Sequence, residues 1–216
     1  MMVINRMMIT LKINRTIKRC AFALFALLTS SSALASDVLV EAESFQNKGG
    51  WSVDQQFIDQ MGSPYLIAHG LGKKVNDAQT NIEIKDKAKY YVYVRTYNWT
   101  APWCKTAGPG KFLISINNKK LNATLGSTGD KWMWQYAGEV SLPAGKASLK
   151  LHDLTGFDGR CDAIFLTTTP TTPPNSLKEL SGFRLKHNPT LQKEPAKKQF
   201  DLVVVGGGVA GMSAAL

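Results

Sequence analysis

The chain of 216 residues is poor in the residues that build reactive sites, with three cysteines and three histidines. His69, His152 and His187 stand at no spacing that serves a zinc site or a catalytic triad. Between residues 36 and 199 there is no glycine–serine nucleophile elbow and no carboxylate pair placed for general acid–base work, so no catalytic site is read there. Long apolar runs are missing too. The best of them, from Cys20 to Thr29, is about half of the ~20 residues that a membrane-spanning helix needs. Nor is charge of one sign concentrated, although the net charge is +10. Residues 1–35 hold five basic residues and no acid, 36–168 hold 15 basic and 13 acidic, and 169–216 hold six basic and three acidic. The central stretch is nearly neutral and offers no basic face to a phosphate backbone, which excludes nucleic acid as the partner. A hydrophobic content of 44%, with five tryptophans and six tyrosines, excludes a largely disordered chain.

The N-terminal segment pairs its basic stretch, ending at Lys18-Arg19, with the short apolar run and then Ala33-x-Ala35, a small-residue pattern that a signal peptidase accepts. Residues 1–35 therefore read as a cleavable secretory signal, with export to a periplasmic or extracellular location and no stable membrane anchor after cleavage. Cys20 leaves with that segment, so the mature chain keeps Cys104 and Cys161. Two cysteines in an exported chain point to a disulfide, the alternative being two separate thiols. The bridge would close about 57 residues and contribute ~3–4 kcal/mol.

From Val38 to Thr168 short strands alternate with turn signals. Tyr90–Tyr97, Lys111–Ile116, Gly138–Leu142, Ala147–His152 and Ala163–Leu166 are β-branched or aromatic and alternate or nearly so. Asn117-Asn118, Gly129-Asp130, Pro143-Ala-Gly145 and Asp158-Gly159 punctuate them. This predicts a mainly β fold, an antiparallel sandwich over residues 36–168. Thr167–Pro174 is rich in threonine and proline, and residues 175–199 are polar, basic and weakly patterned. Residues 169–199 are accordingly expected to be a linker.

At Phe200 the character changes. Val203-Val-Val205, then Gly206-x-Gly208-x-x-Gly211, then small residues read as a buried strand, a glycine turn and the opening of a helix. Gly206 permits the tight turn, Gly208 the approach of a pyrophosphate, and Gly211 the close packing of helix on strand. A dinucleotide fold needs further strands and an acidic ribose ligand about 20 positions on, so residues 200–216 are expected to be the truncated start of a Rossmann-type domain.

Two resemblances follow. Residues 200–216 resemble the start of FAD-dependent oxidoreductases, which implies FAD as cofactor with Gly206, Gly208 and Gly211 at its pyrophosphate. Val40-Glu-Ala-Glu43, Gly49-Gly-Trp51, Ala88–Arg95 with Trp99, Gly138–Gly145 and Asp162–Leu166 resemble jelly-roll carbohydrate-binding modules of the xanthan-lyase and golvesin-like type. That resemblance implies a structural calcium held by Glu41, Glu43 and Asp162, with the two glutamates on one strand face; capping of a sheet edge or pairing with lysines is the competing role of these acids. It also implies a polysaccharide or oligosaccharide partner, met by flat aromatic rings. Trp99 and Trp103 lie in the Asn98–Gly110 loop, and a Cys104–Cys161 bridge would gather them with Asp158 and Arg160 at one end of the sandwich. Trp132 and Trp134 read as core. The leading expectation is thus the N-terminal part of an exported FAD-dependent oxidoreductase with a glycan-binding accessory module. The alternative is a non-catalytic carbohydrate-binding module of a polysaccharide-degrading protein, and a purely structural sandwich is a third reading.

Overall fold

The computed structural model describes residues 36–104, 106–188, 199–206 and 208–215; the secretory-signal reading falls on residues outside these. Among the described residues the strands are β1 (Val38–Glu41), β2 (Ser52–Asp54), β3 (Tyr65–His69), β4 (Ala78–Ile84), β5 (Ala88–Thr96), β6 (Phe112–Ile116), β7 (Lys119–Lys120), β8 (Met133–Leu142), β9 (Gly145–Asp153) and β10 (Phe157–Thr167). Helices are α1 (Ile58–Met61), α2 (Leu177–His187) and α3 (Val209–Ala215), and a 3-10 turn spans Ala42–Ser44.

The strands form the expected antiparallel sandwich. One sheet runs β2-β3-β10-β5-β8 with β1 also on β10, and the other runs β4-β9-β6-β7. Alternation decides which side chains meet between them. In β4, Ala78, Thr80, Ile82 and Ile84 are buried and the residues between them are not. Ala78, Ile82 and Ile84 join Val92, Val94, Ile114, Ile116, Leu149, Leu151, Ile164 and Leu166 in one core. Asn117 and Asn118, at φ +49° and +63°, make the tight turn between β6 and β7, a conformation asparagine tolerates better than most residues. Asp158-Gly159 is a register shift inside β10 rather than a turn between strands.

β10 organises the larger sheet. It pairs with β5 along one edge, while β3 (Leu66 opposite Cys161) and β1 (Glu41 opposite Ala163) share the other edge end to end. A bulge between Cys161 and Ala163 leaves Asp162 without a partner on β5, just where β1 stops and β3 starts.

The reading of residues 169–199 as a linker is corrected over its middle. α2 docks on the outer face of the larger sheet, with Leu180 fully buried in a cluster with Tyr93, Trp134, Ala163 and Phe165. Phe183 meets the rings of Trp134 and Phe165 edge-on. The Trp134 indole donates to Pro174 O at 3.0 Å, and Asn175 Nδ2 donates to Trp132 O at 2.7 Å. The physical reason is that the outer face of this sheet is itself apolar and needs a cover.

The buried strand expected at Val203–Val205 is not observed. Residues 202–206 carry no strand and are exposed, with Val205 91% accessible, and α3 buries none of its residues. A parallel strand is stable only when paired on a sheet and covered, and no described strand pairs with this segment. The glycine turn alone has local form. Gly206 sits at φ +110°, and a Cβ on Gly211 would come within 2.1 Å of Gly206 O.

Candidate functional site: a tryptophan loop and a buried acid pocket

The loop between β5 and β6 carries Trp99 and Trp103. Trp99 is half-buried, its Nε1 donating to Phe157 O at 3.1 Å. The guanidinium of Arg160 lies 5.6 Å from the Trp99 ring centre, a cation–π contact. Arg160 Nη1 in turn donates to the main-chain O of Asp158 at 2.9 Å, and Asp158 Oδ1 meets His69 Nδ1. Trp103 stands 6.3 Å from Trp99 with the rings at 68°, and it is 78% exposed. The structure therefore brings Trp99, Trp103, Asp158 and Arg160 together at one end of the sandwich, as a chain of contacts in which only Trp103 projects fully into solvent. Arg160 is buried, so it steadies Trp99 from below rather than reaching outward.

The disulfide expected to hold this loop is absent. Cys104 and Cys161 are both free, one exposed in the loop and the other wholly buried in the inter-sheet core. Burial pushes the Cys161 thiol well above its usual range. Hydrogen bonds hold the loop instead: Gly108 N donates to Ser127 O at 2.8 Å, Asn98 Nδ2 to Gly129 O at 3.4 Å, and Trp99 to Phe157 as above. Between the loop and residues 127–130 lies a cleft of about 420 Å³, lined by Asn98, Cys104, Thr106, Ser127, Gly129 and Asp130 among others. Trp132 and Trp134 are each 5% exposed and belong to the packing of the outer sheet face.

The acids assigned to calcium lie at the junction of β1, β3 and β10. Glu41 ends β1, but Glu43 belongs to the 3-10 turn that follows, because the chain leaves β10 once β3 takes over the edge; the two do not share a strand face. Asp162 is fully buried. Its Oδ1 accepts from Ser63 Oγ at 3.0 Å and from Arg184 Nη2 at 2.9 Å, and its Oδ2 accepts from Arg95 Nη1 and Arg184 Nη2, both at 2.8 Å. Arg184 Nε stands 3.0 Å from Glu41 Oε1, an ion pair off the line of a hydrogen bond, which leaves both buried Glu41 oxygens without a hydrogen-bond donor. Burial, more than any neighbouring charge, pushes the carboxyls of Glu41 and Glu43 up to about 7. Burial also lowers the Arg95 guanidinium against the pull of Asp162. Among the described residues no group of three or more acidic, histidine or cysteine side chains is arranged to hold a metal ion. The donor set as it stands does not fit calcium, since Arg95, Arg184 and Ser63 already give Asp162 four hydrogen bonds.

Sequence reasoning missed one more constellation. Ser115 Oγ lies 2.7 Å from His152 Nε2, and His152 Nδ1 lies 2.7 Å from Asp77 Oδ2. The atoms suit a hydrolytic triad, but the setting does not. Ser115 is 2% exposed within β6, paired on both sides with Lys120 and Lys150, so its flanking amides serve the ladder and cannot stabilise an oxyanion. The three residues pin β6, β9 and the entry to β4 together.

The sandwich is similar to solved carbohydrate-binding modules. A mannanase of Podospora anserina, a GH26-CBM35 beta-(1,4)-mannanase, matches over 65% of this chain and 29% of its own, at 21% identity and a TM-score of 0.49. A family 35 carbohydrate-binding module from Clostridium thermocellum matches over 62% of this chain and 100% of its own, at 16% identity and a TM-score of 0.49. The C-terminal CBM6 of LamC, a laminarinase of Zobellia galactanivorans, matches over 61% of this chain and 99% of its own, at 14% identity and a TM-score of 0.44. The chain thus corresponds to less than a third of the mannanase and to the whole of the isolated modules. No family model matches the chain, and no curated protein matches it.

Proposed function

We propose that the sandwich with its docked helix α2 is a non-catalytic module that binds a polysaccharide at the Trp99–Trp103 loop. The observation that carries this reading is Trp103, a large flat ring 78% exposed on a loop whose base is fixed by hydrogen bonds and by Arg160 under Trp99. An exposed tryptophan normally loses free energy to water, and a pyranose ring offers an apolar face that would cover it. The neighbouring cleft supplies the polar groups that orient a sugar, from Asn98, Thr106, Ser127 and Asp130. Acting on a glycan agrees with export, and among the described residues no helix is long and apolar enough to cross a membrane. Affinity electrophoresis and calorimetry of the chain against plant and bacterial polysaccharides test the reading. Binding lost on Trp103→Ala supports it, and flat responses throughout the panel end it.

A second reading concerns residues 200–215. The positive φ of Gly206 and the close approach of Gly211 to it favour the glycine turn of an FAD-dependent oxidoreductase, with the sandwich as its accessory module. Gly206, Gly208 and Gly211 would meet the pyrophosphate, and the flavin would supply the redox chemistry. Reading the coding DNA beyond the codon for Leu216 tests it: an open frame with an acidic residue about 20 positions on supports the flavoenzyme, and an immediate stop codon removes it.

A further inference from the structure

The contacts of Arg184 have an unusual composition. Its guanidinium touches a carboxylate from the end of β1 (Glu41), a carboxylate from the bulge in β10 (Asp162) and the main-chain carbonyl of Met61, to which Nη1 donates at 2.6 Å. Two carboxylates and a backbone carbonyl, all oxygen, drawn from separate elements, are what a hard cation gathers. Glu43 adds a third acid close by, with a buried oxygen that has no hydrogen-bond partner. Arg95 meets Asp162 from the β5 side and is braced by Asn175 Oδ1 at 3.0 Å. The side chain of Arg184 is 7% exposed, and it comes from a helix beyond the last strand of the sandwich.

We infer that Arg184 is a resident cation: it fills the position among Glu41, Asp162 and the Met61 carbonyl that a divalent ion would otherwise take, and by doing so it locks α2 to the sandwich. Three carboxylates face two guanidiniums, so the pocket is close to balanced with Arg184 present and strongly acidic without it. In the intact chain the pocket is closed to calcium. Removing the guanidinium opens a cation site in the same place and frees the helix. This inference uses only the pocket and is independent of what the tryptophan loop binds.

The test is thermal unfolding of the whole chain in excess chelator and in about 1 mM calcium, the affinity range of extracellular calcium modules. The wild-type Tm is expected to be the same in both. Arg184→Met, which keeps the length of the side chain and drops its charge, is expected to lower Tm in chelator by on the order of 10 °C, as for a broken buried ion pair. Calcium is expected to restore at least half of that loss, and to stop doing so when Glu41→Gln is added. Should Arg184→Met fail to fold in chelator, its folding on addition of calcium is the same readout. Arg184→Lys keeps one positive charge without the fork and is expected to stay indifferent to calcium. A saturable rise of the wild-type Tm with calcium overturns the inference, because the pocket would then hold metal despite Arg184. So does an Arg184→Met chain that calcium does not stabilise, or an Arg184→Lys chain that responds as strongly as Arg184→Met.

Discussion

The acid pocket and the tryptophan loop use similar residues to opposite ends. Each sets an arginine against an aspartate and an aromatic ring: Arg95 with Asp162 and Trp132 in the pocket, Arg160 with Asp158 and Trp99 at the loop. In the pocket Asp162 and the two arginines point inward and are taken up by other elements, so the cluster joins β1, α1, β5, β10 and α2. At the loop the arginine is buried beneath the ring, and the last member of the chain, Trp103, has nothing over it. A buried cluster that sets its aspartate against two arginines ties the elements of a fold together and lies out of reach of a ligand, whereas a fixed base under an unpaired apolar face is what a binding surface requires.

That contrast can be broken most severely at Asp162. Asp162→Ala leaves Arg95 and Arg184 buried without their shared partner and is expected to cost ~3–5 kcal/mol, measured by urea unfolding. Polysaccharide binding by whatever fraction remains folded should be unchanged. Trp103→Ala should do the reverse. Glycan affinity should fall by about 30-fold or more, the scale of an aromatic hot spot, while Tm stays within about 1 °C of wild type. Any large stability loss there would return Trp103 to a structural role.

The next effect is a pH dependence confined to the pocket. Glu41 and Glu43, raised by burial from 4.5 to about 7, keep protons in the fold that the unfolded chain has released. Between these values the folded state binds more protons, so their contribution to stability falls as pH rises from 4.5 to about 7 and levels off above. Unfolding at a series of pH values should show this slope, and Glu41→Gln with Glu43→Gln should flatten it. Arg160→Met should have a smaller effect, weakening glycan binding a few-fold through a looser Trp99, since a cation–π contact contributes ~0.5–2 kcal/mol. Smallest of all is the effect of reductant: with Cys104 and Cys161 free, dithiothreitol should leave Tm unchanged.

Local signals made much of the sandwich legible. Strands with strict alternation, such as β4 and β9, and the Asn117-Asn118 turn follow from side-chain period and backbone preference. The linker reading failed because α2 buries only Leu180 and Arg184 fully while Leu177 and Leu185 stay exposed, so its apolar residues mark no single clean stripe for a periodicity argument. Ser176-Leu-Lys-Glu179, with Ser176 Oγ bonded to the Glu179 carboxylate, was the available signal of a helix start, and basic residues fill its last turn. The triad-like contact of Ser115, His152 and Asp77 left no trace in the sequence, since two strands and the entry to a third bring it together.

Residue order alone made the antiparallel β-sandwich readable and put Trp99 and Trp103 on a proline- and glycine-rich loop, because alternation and turn chemistry are properties of neighbouring residues. It took the folded chain to show that Cys104 and Cys161 stay apart, and that Glu41 and Asp162 meet an arginine from a helix outside the strands. The first follows from the hydrogen bonds that hold the Cys104 loop to residues 127–129 and from the burial of Cys161 between the sheets, the second from which distant segments meet at the bulge in β10. Burial is the physical reason in the second case: out of water, Asp162 takes its partners from the side chains that the fold brings beside it, and those are Arg95 and Arg184.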